Sequence, residues 1–520
     1  MSDFTNDSLN RSLGSFSPIY NAVWLQDKFQ FKDLILRLGV RIERYDANQE
    51  VLADEYSLFP TNSVAELRSI ADGGSGRGAK LLNNYAIPNV IGDDFVVYVD
   101  DINQPNKILG YRDGAQWYDE NGTELSNPDL IAQETNSGRI QPFLVSENEE
   151  LVAESFADYD PVINVLPRVW FSFPINSEAQ FFANYDVLAQ RPSDGAVFTP
   201  YSQYYFLEFN QGGGLANAAL KPRVTTNYEL GFKQTLSRNS ALSIIASYRE
   251  SKGDFALVKV NQAYPISYLS YSNIDFSTSK SFRAEYELRG QGRTSIALNY
   301  ALLFSDGTGS NANSSAALIQ ANLPNLRSLY PTQYDVRHKI VTRIDYQFKG
   351  GKDYTGPIWF NKKIFANSGA NLIVTTQSGE PYTAYLNPVA SVATGSAQRQ
   401  SLDGNPYGSR KPWQFKVDAT FSKNFTVKKK NVKDDFRRPT MDIQAFLWVQ
   451  NLLNTRIVRG LYGYTGLPND DGWLSSPEGQ QLSANELSTQ SYIDLYNAKV
   501  DYPYNYLTPR LMRLGLRVYF

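Results

Sequence analysis

Hydrophobic positions along this chain recur with a period of two. In its last stretch Met512, Leu514, Leu516, Val518 and Phe520 share one face, while Leu511, Arg513, Gly515, Arg517 and Tyr519 share the other. An apolar face opposite one that carries arginines describes a strand lying between an apolar medium and water. The pattern returns upstream. Leu34, Leu36, Leu38, Val40 and Ile42 alternate with Ile35, Arg37, Gly39, Arg41 and Glu43. Tyr228, Leu230 and Phe232 alternate with Glu229, Gly231 and Lys233, and Phe282, Ala284, Tyr286 and Leu288 with Arg283, Glu285, Glu287 and Arg289. Further strands are expected at 162–174, 179–190, 336–348, 368–378, 413–425 and 441–454, with another near 18–27. About thirteen strands are predicted in all, each near the ~9–11 residues that cross a bilayer when tilted.

The connections separate a membrane protein from a soluble sandwich, whose charged faces also point outward. Short links at 175–178, 237–240 and 290–293 alternate with long ones at 191–225, 253–279, 306–335 and 455–509. Short turns on one side and long loops on the other are the pattern of outer-membrane barrels, short in the periplasm and long outside. The links 349–367 and 426–440 are longer than that rule expects. The second carries Lys428-Lys-Lys430, Lys433 and Arg437-Arg438 and is read as a solvated charged turn. The segment 46–161 far exceeds an ordinary loop. Its Phe95–Val99, Lys107–Tyr111 and Gln116–Tyr118 predict small hairpin strands, and Ser63-Val-Ala-Glu66 has capping-box spacing. Three regions follow: 1–45 with the first barrel strands, 46–161 as a folded external insertion, and 162–520 with the remaining strands and loops.

Composition narrows the class. The chain has 520 residues and a net charge of −3, which offers no electrostatic footprint for nucleic acid. Hydrophobic residues make up 42 %, a value compatible with a barrel because only alternate strand residues face lipid. The aromatic share of 13 % suits aromatic girdles, and the absence of cysteine removes disulfides and thiolate chemistry. No apolar run reaches the ~18 residues of a transmembrane helix. Met1-Ser-Asp-Phe-Thr-Asn-Asp-Ser8 has neither the basic nor the apolar region of a secretory signal. Under the membrane reading, a truncated or subdivided protein is therefore expected.

Several stretches in 220–520 carry a resemblance. They are Leu220-Lys-Pro-Arg-Val-Thr-Thr-Asn-Tyr-Glu-Leu-Gly-Phe232, Tyr334-Asp-Val-Arg-His338, Ser378-Gly-Glu-Pro-Tyr-Thr383, Gln450-Asn-Leu-Leu-Asn454 and the terminal strand. In order and spacing they resemble the C-terminal barrel portion of a TonB-dependent outer-membrane receptor of the Bacteroidetes type. The lead-in Lys221-Pro-Arg223 departs from the family's leucine-x-proline-glutamate. The resemblance implies an all-β fold, a transmembrane antiparallel barrel of about 22 strands filled by a plug. It implies uptake of a scarce ligand in the cell outer membrane, with TonB acting only through a plug absent from this sequence. The partners implied are outer-membrane lipid, the barrel-assembly machinery and an unknown small ligand, glycan or peptide. Gly515, Val518 and Phe520 would form the insertion signal.

Chemistry is sparse. The one histidine, His338, sits between Arg337 and Lys339 and cannot by itself build a multi-histidine metal site or a triad. Gly73-Gly-Ser-Gly-Arg-Gly-Ala-Lys80 lacks the ending of a phosphate loop and reads as a flexible loop. Asp353, Asp403 and Asp470-Asp471 lack calcium-loop spacing. No catalytic residue, cofactor or metal is predicted. Ligand contact would come from the aromatic external loops Pro200–Tyr205 and Tyr264–Tyr271, and from Tyr462, Tyr464 and Trp473; the other reading of the same aromatics is an interfacial girdle or packing between loops. Two other readings remain open. One is a non-transporting outer-membrane protein whose insertion serves adhesion or partner docking. The other is a soluble, secreted β-rich carbohydrate-binding protein or glycosidase.

Overall fold

A computed structural model of the chain describes residues 16–72, 77–147, 149–207, 214–291, 293–320, 327–392, 400–428 and 440–519. Thirteen strands follow one another in a single antiparallel ladder in chain order. They are β1 (Ile19–Phe31), β2 (Leu34–Asp46), β3 (Val162–Pro174), β4 (Ala179–Gln190), β5 (Arg223–Ser237), β6 (Ser240–Val260) and β7 (Tyr268–Gln291), followed by β8 (Thr294–Gly307), β9 (His338–Phe348), β10 (Ser368–Gln377), β11 (Gln414–Lys428), β12 (Thr440–Gln450) and β13 (Leu511–Tyr519). A two-residue strand at Tyr330–Pro331 adds to β8. Among the described residues no ladder joins β1 to β13, so the sheet is open rather than closed into a barrel. Among the described residues no helix is long and apolar enough to cross a membrane.

The register sorts the side chains into two continuous faces, because directly paired residues point the same way. One row crosses nine strands as Phe29, Leu36, Phe171, Ala183, Leu230, Ala246, Phe282, Leu302 and His338. A row on the other face reads Gln26, Gly39, Arg168, Asp186, Asn227, Arg249, Ser279 and Ser305. In β9 and β11, Ile340, Ile344, Phe415, Val417 and Phe421 lie on the apolar face; Lys339, Arg343, Asp345, Lys416 and Asp418 lie opposite. Charges on the polar face pair mostly along one strand, as in Arg343–Asp345 at 2.9 Å and Lys416–Asp418 at 2.8 Å. Arg283 instead reaches Glu229 two strands away, also at 2.9 Å.

Strand lengths depart from expectation at one place. The stretch 253–279, read as a long connection, is mostly strand: β6 and β7 continue pairing to Val260 and Tyr268. The alternation breaks at Gly253, whose φ of +74° accompanies a register shift between Lys252 and Asp254. A bulge of this kind exchanges the faces and hides the strand from a period-two reading. The basic link with Lys430, Lys433 and Arg437-Arg438 lies outside the described residues.

Between β2 and β3 the chain leaves the sheet through the short pair Glu50–Leu52 and Phe156–Asp158. It then builds a four-stranded sheet (Val96–Val99, Ile108–Asp113, Gln116–Asp119, Glu124–Leu125) with its own buried clusters. The helix Val64–Asp72 begins as the capping box foretells: Glu66 N–H donates to Ser63 Oγ at 3.3 Å, and the Ser63 N–H donates to the Glu66 carboxylate at 2.6 Å. Gly73–Gly76 lie outside the described residues, and Arg77–Lys80 open a second helix, Arg77–Asn84, rather than continuing a loop.

Candidate functional site

The longest connections, 47–161, 191–222, 308–337, 378–413 and 451–510, leave from one end of the sheet, and most of the residues singled out in sequence lie on them. The segment 50–158 is fastened to its neighbours by aromatic packing. Phe59, Leu144 and Phe156 form one cluster with Tyr204, Leu207 and Leu215, against which Tyr201, Tyr264, Ile266 and Tyr268 pack. Backbone bonds reinforce it, Leu58 N–H to Tyr264 O at 2.9 Å and Tyr264 N–H to Tyr56 O at 3.0 Å. The aromatic runs Pro200–Tyr205 and Tyr264–Tyr271, expected to meet ligand, thus serve largely as the seat of this segment.

Within the segment lies a cleft of about 850 Å³. Asp54, Glu55, Glu66, Asp94, Glu150 and Glu154 line it, and its single cation is Arg112. Arg112 is committed elsewhere. Its side chain is 5 % exposed, forms an ion pair with Asp54, and donates to the Tyr98 hydroxyl at 2.8 Å and to Gly114 O at 2.7 Å. It also lies over the Tyr56 ring at 4.7 Å. Burial drives the Tyr98 hydroxyl far above the ordinary phenol range, with Arg112 opposing, so Tyr98 stays neutral. Desolvation by the cleft walls, helped by Asp54, raises the Glu55 carboxyl above the usual carboxylate range. Among the described residues no group of three or more His, Asp or Glu could hold a metal ion. The cleft is an acid-lined recess.

The three residues expected as ligand contacts are close in the fold and unequal. Trp473 is 4 % exposed, in a cluster with Tyr496, Val500, Tyr462 and Tyr492. The Tyr462 hydroxyl donates to Val500 O at 2.9 Å, and burial raises its pKa. Tyr464 alone keeps open surface. Asp471, buried, organises the group: it accepts from Tyr496 Oη at 2.6 Å, Trp473 N–H at 3.0 Å and Ser391.

Two of the stretches singled out in sequence, 334–338 and 378–383, meet at this end of the sheet, and 450–454 turns the chain there. Asp335 is fully buried and accepts from Arg337 Nε at 3.0 Å, from Arg410 and from Ser305 N–H at 3.1 Å. His338 exchanges bonds with Ser378, N–H to Oγ at 3.0 Å and O from N–H at 2.8 Å. Its ring lies between those of Tyr300 and Trp413, nearly parallel to both. Asn451 takes φ +54°, and its carboxamide bonds Thr455 on both sides, N–H to Oδ1 at 2.9 Å and Nδ2 to O at 3.0 Å. A left-handed Asn that hydrogen-bonds its own backbone is a turn device, here reversing the chain after β12. These motifs pin loops to strands. In β13, Gly515 pairs with Phe446, whose ring occupies the space a Cβ would need, and Val518 pairs with Ile443 on the apolar face. Phe520 lies outside the described residues.

No family model matches the chain, and no curated protein matches it. Among solved structures it is similar to the ferric-catecholate import receptor Fiu of E. coli K12, at 11 % identity and a TM-score of 0.39, over 85 % of this chain and 41 % of that one. It is similar to the FrpB iron transporter of Neisseria meningitidis, at 10 % and 0.39, over 84 % and 41 %. A third is the outer membrane transporter YddB of Escherichia coli, at 10 % and 0.42, over 85 % and 51 %. The chain spans about half, or less, of the length of these structures.

Proposed function

We propose that this chain is the C-terminal strand portion of a TonB-dependent outer-membrane receptor, a transport protein and not an enzyme. One observation carries the membrane reading: the apolar face that crosses the sheet is uncovered. Leu25, Val23, Ile163, Leu230, Leu514 and Leu516 on it are all more than half exposed, Leu514 by 83 %. Soluble proteins rarely leave contiguous apolar patches beyond a few hundred Å², whereas hydrocarbon imposes no penalty on such a face. The opposite face, rich in Arg, Asp, Asn and Ser, would line a water-filled or plugged lumen. The two free edges, β1 and β13, leave backbone groups that must be paired within a bilayer, which favours a larger closed sheet over this one alone.

The order of family-like stretches across 220–520 supports the receptor class within that reading. Uptake of a scarce ligand, energised through TonB and a plug, would belong to the whole receptor. The segment 46–161 is then an external module, with Tyr464 and the acid-lined cleft as surfaces open to a ligand. The test is the native protein isolated from its own outer-membrane fraction. A receptor is expected to show an intact mass well above that of this chain and an uptake that stops when the proton-motive force is dissipated. A native mass matching this chain alone, in the same membrane, would remove transport. It would leave the second reading, a docking or adhesion protein, which the independently packed module also favours.

A further inference from the structure

The connection between β9 and β10 holds a surface that neither turn chemistry nor packing explains. Trp359 and Lys362 exchange both backbone bonds, N–H to O at 3.1 and 2.8 Å, around Phe360 and Asn361 with φ of +48° and +59°. Two left-handed central residues make a tight hairpin turn, where Asn and Gly are favoured and a bulky ring is not. Phe360 nonetheless occupies it and is 95 % exposed, with Ile358 and Trp359 each 58 % exposed beside it.

The base of the hairpin shows which way it leans. Phe365 stacks on Phe348 at 5.5 Å and meets Trp359 at 6.4 Å, and Lys423 Nζ donates to Ile364 O. Phe348 and Lys423 share one register row with Ala445 and Leu516, on the apolar face of the sheet. The aromatic chain thus runs without interruption from that face onto the hairpin, at the end of the sheet that carries the short turns. Lys349, Lys352, Lys362 and Lys363 flank it along the chain, with Asp353 as the one acid between 349 and 367; Lys363 donates to Gly351 O at 2.7 Å, and among the described residues none of the four forms an ion pair.

We propose that Ile358–Lys363 is a membrane-interface anchor, with Ile358, Trp359 and Phe360 entering the acyl boundary of the periplasmic leaflet and the lysines meeting anionic phospholipid headgroups. Aromatic residues beside a ring of lysines are what such an interface selects. Continuity with the lipid-facing surface identifies lipid as the occupant, so the inference rests on the membrane reading.

The chain lacks cysteine, so single nitroxide labels can be placed at Asn361→Cys, at Leu516→Cys within the apolar face and at Asn239→Cys in the β5–β6 turn. The labelled protein is isolated in its native outer-membrane assembly, in which the free edges are paired, and reconstituted in vesicles of phosphatidylethanolamine with phosphatidylglycerol. The label at 361 is expected to be reached by oxygen and shielded from a water-soluble nickel chelate, as at 516. Adding Phe360→Asp is expected to return it to the nickel-accessible state of 239 without changing 516, and Phe360→Cys serves if Asn361→Cys misfolds. Nickel access at 361 with 516 still in lipid overturns the anchor and leaves the membrane reading intact. Shielding of 361 from both reagents overturns it in favour of a protein contact. Nickel access at 516 overturns both.

Discussion

Leu516 and Arg517 are adjacent in β13 and, under the membrane proposal, face different solvents. In hydrocarbon, Leu516→Arg near the midplane should cost about 2–4 kcal/mol, while Arg517→Ala on the polar face should be mild. On a soluble sheet the order would reverse, since Leu516 is already 70 % exposed and an arginine there loses nothing. Urea unfolding of the two variants from vesicles distinguishes the cases. Arg112 presents a different residue-scale problem, a buried cation whose neighbours are all built around its fork. Arg112→Ala strands Asp54 and should cost about 3 kcal/mol or more. Arg112→Lys should rescue little, because an ammonium cannot serve Asp54, Tyr98 and Gly114 together. The expected readout is lost amide protection in Ile108–Asp113 and Gln116–Asp119, with β-strands of the main sheet unaffected. Nothing in the local sequence marked Arg112. Its role arises from the meeting of residues 54, 98 and 114, which only the fold brings together.

At the scale of elements, alternation located the strands where both faces kept their character and failed where a bulge swapped them, as at Gly253. The capping box at Ser63–Glu66 and the hairpin strands of 95–118 were readable because their signals are local. The aromatic loops stayed open to two readings, ligand contact or loop packing, for the opposite reason. Tyr204, Tyr264 and Tyr268 have the composition of a binding surface, and only tertiary contact shows that Phe59 and Phe156 cover them. The motif around Asp335 makes a prediction of its own kind. This carboxylate, with no exposed surface, holds Arg337, just before β9, and Arg410 near the end of the 378–413 loop. Asp335→Asn keeps the shape and removes the charge. It should weaken the loop's attachment by about 1.5–3 kcal/mol, seen as proteolysis within 383–408 accelerated by about tenfold or more. Cleavage at the wild-type rate would mean that the loop is held by other contacts.

For the whole molecule, the thirteen antiparallel strands of the described residues form one sheet with an uncovered apolar face and a polar, charged face, which the proposal reads as a wall between two media. That much could be read from sequence, since each residue of a strand reports its own side. Closure could not, because it depends on the stagger of the ladder and on what pairs with β1 and β13, quantities no single strand encodes. The central claim is that the wall stands in a bilayer, and a cysteine scan along β5 tests it most directly. Single cysteines at Thr226, Tyr228, Leu230 and Phe232 should resist a membrane-impermeant maleimide, while those at Asn227, Glu229 and Lys233 react, with the pattern abolished in denaturant. Equal reactivity on both sets, in a chain that stays dispersed without detergent, would contradict the account.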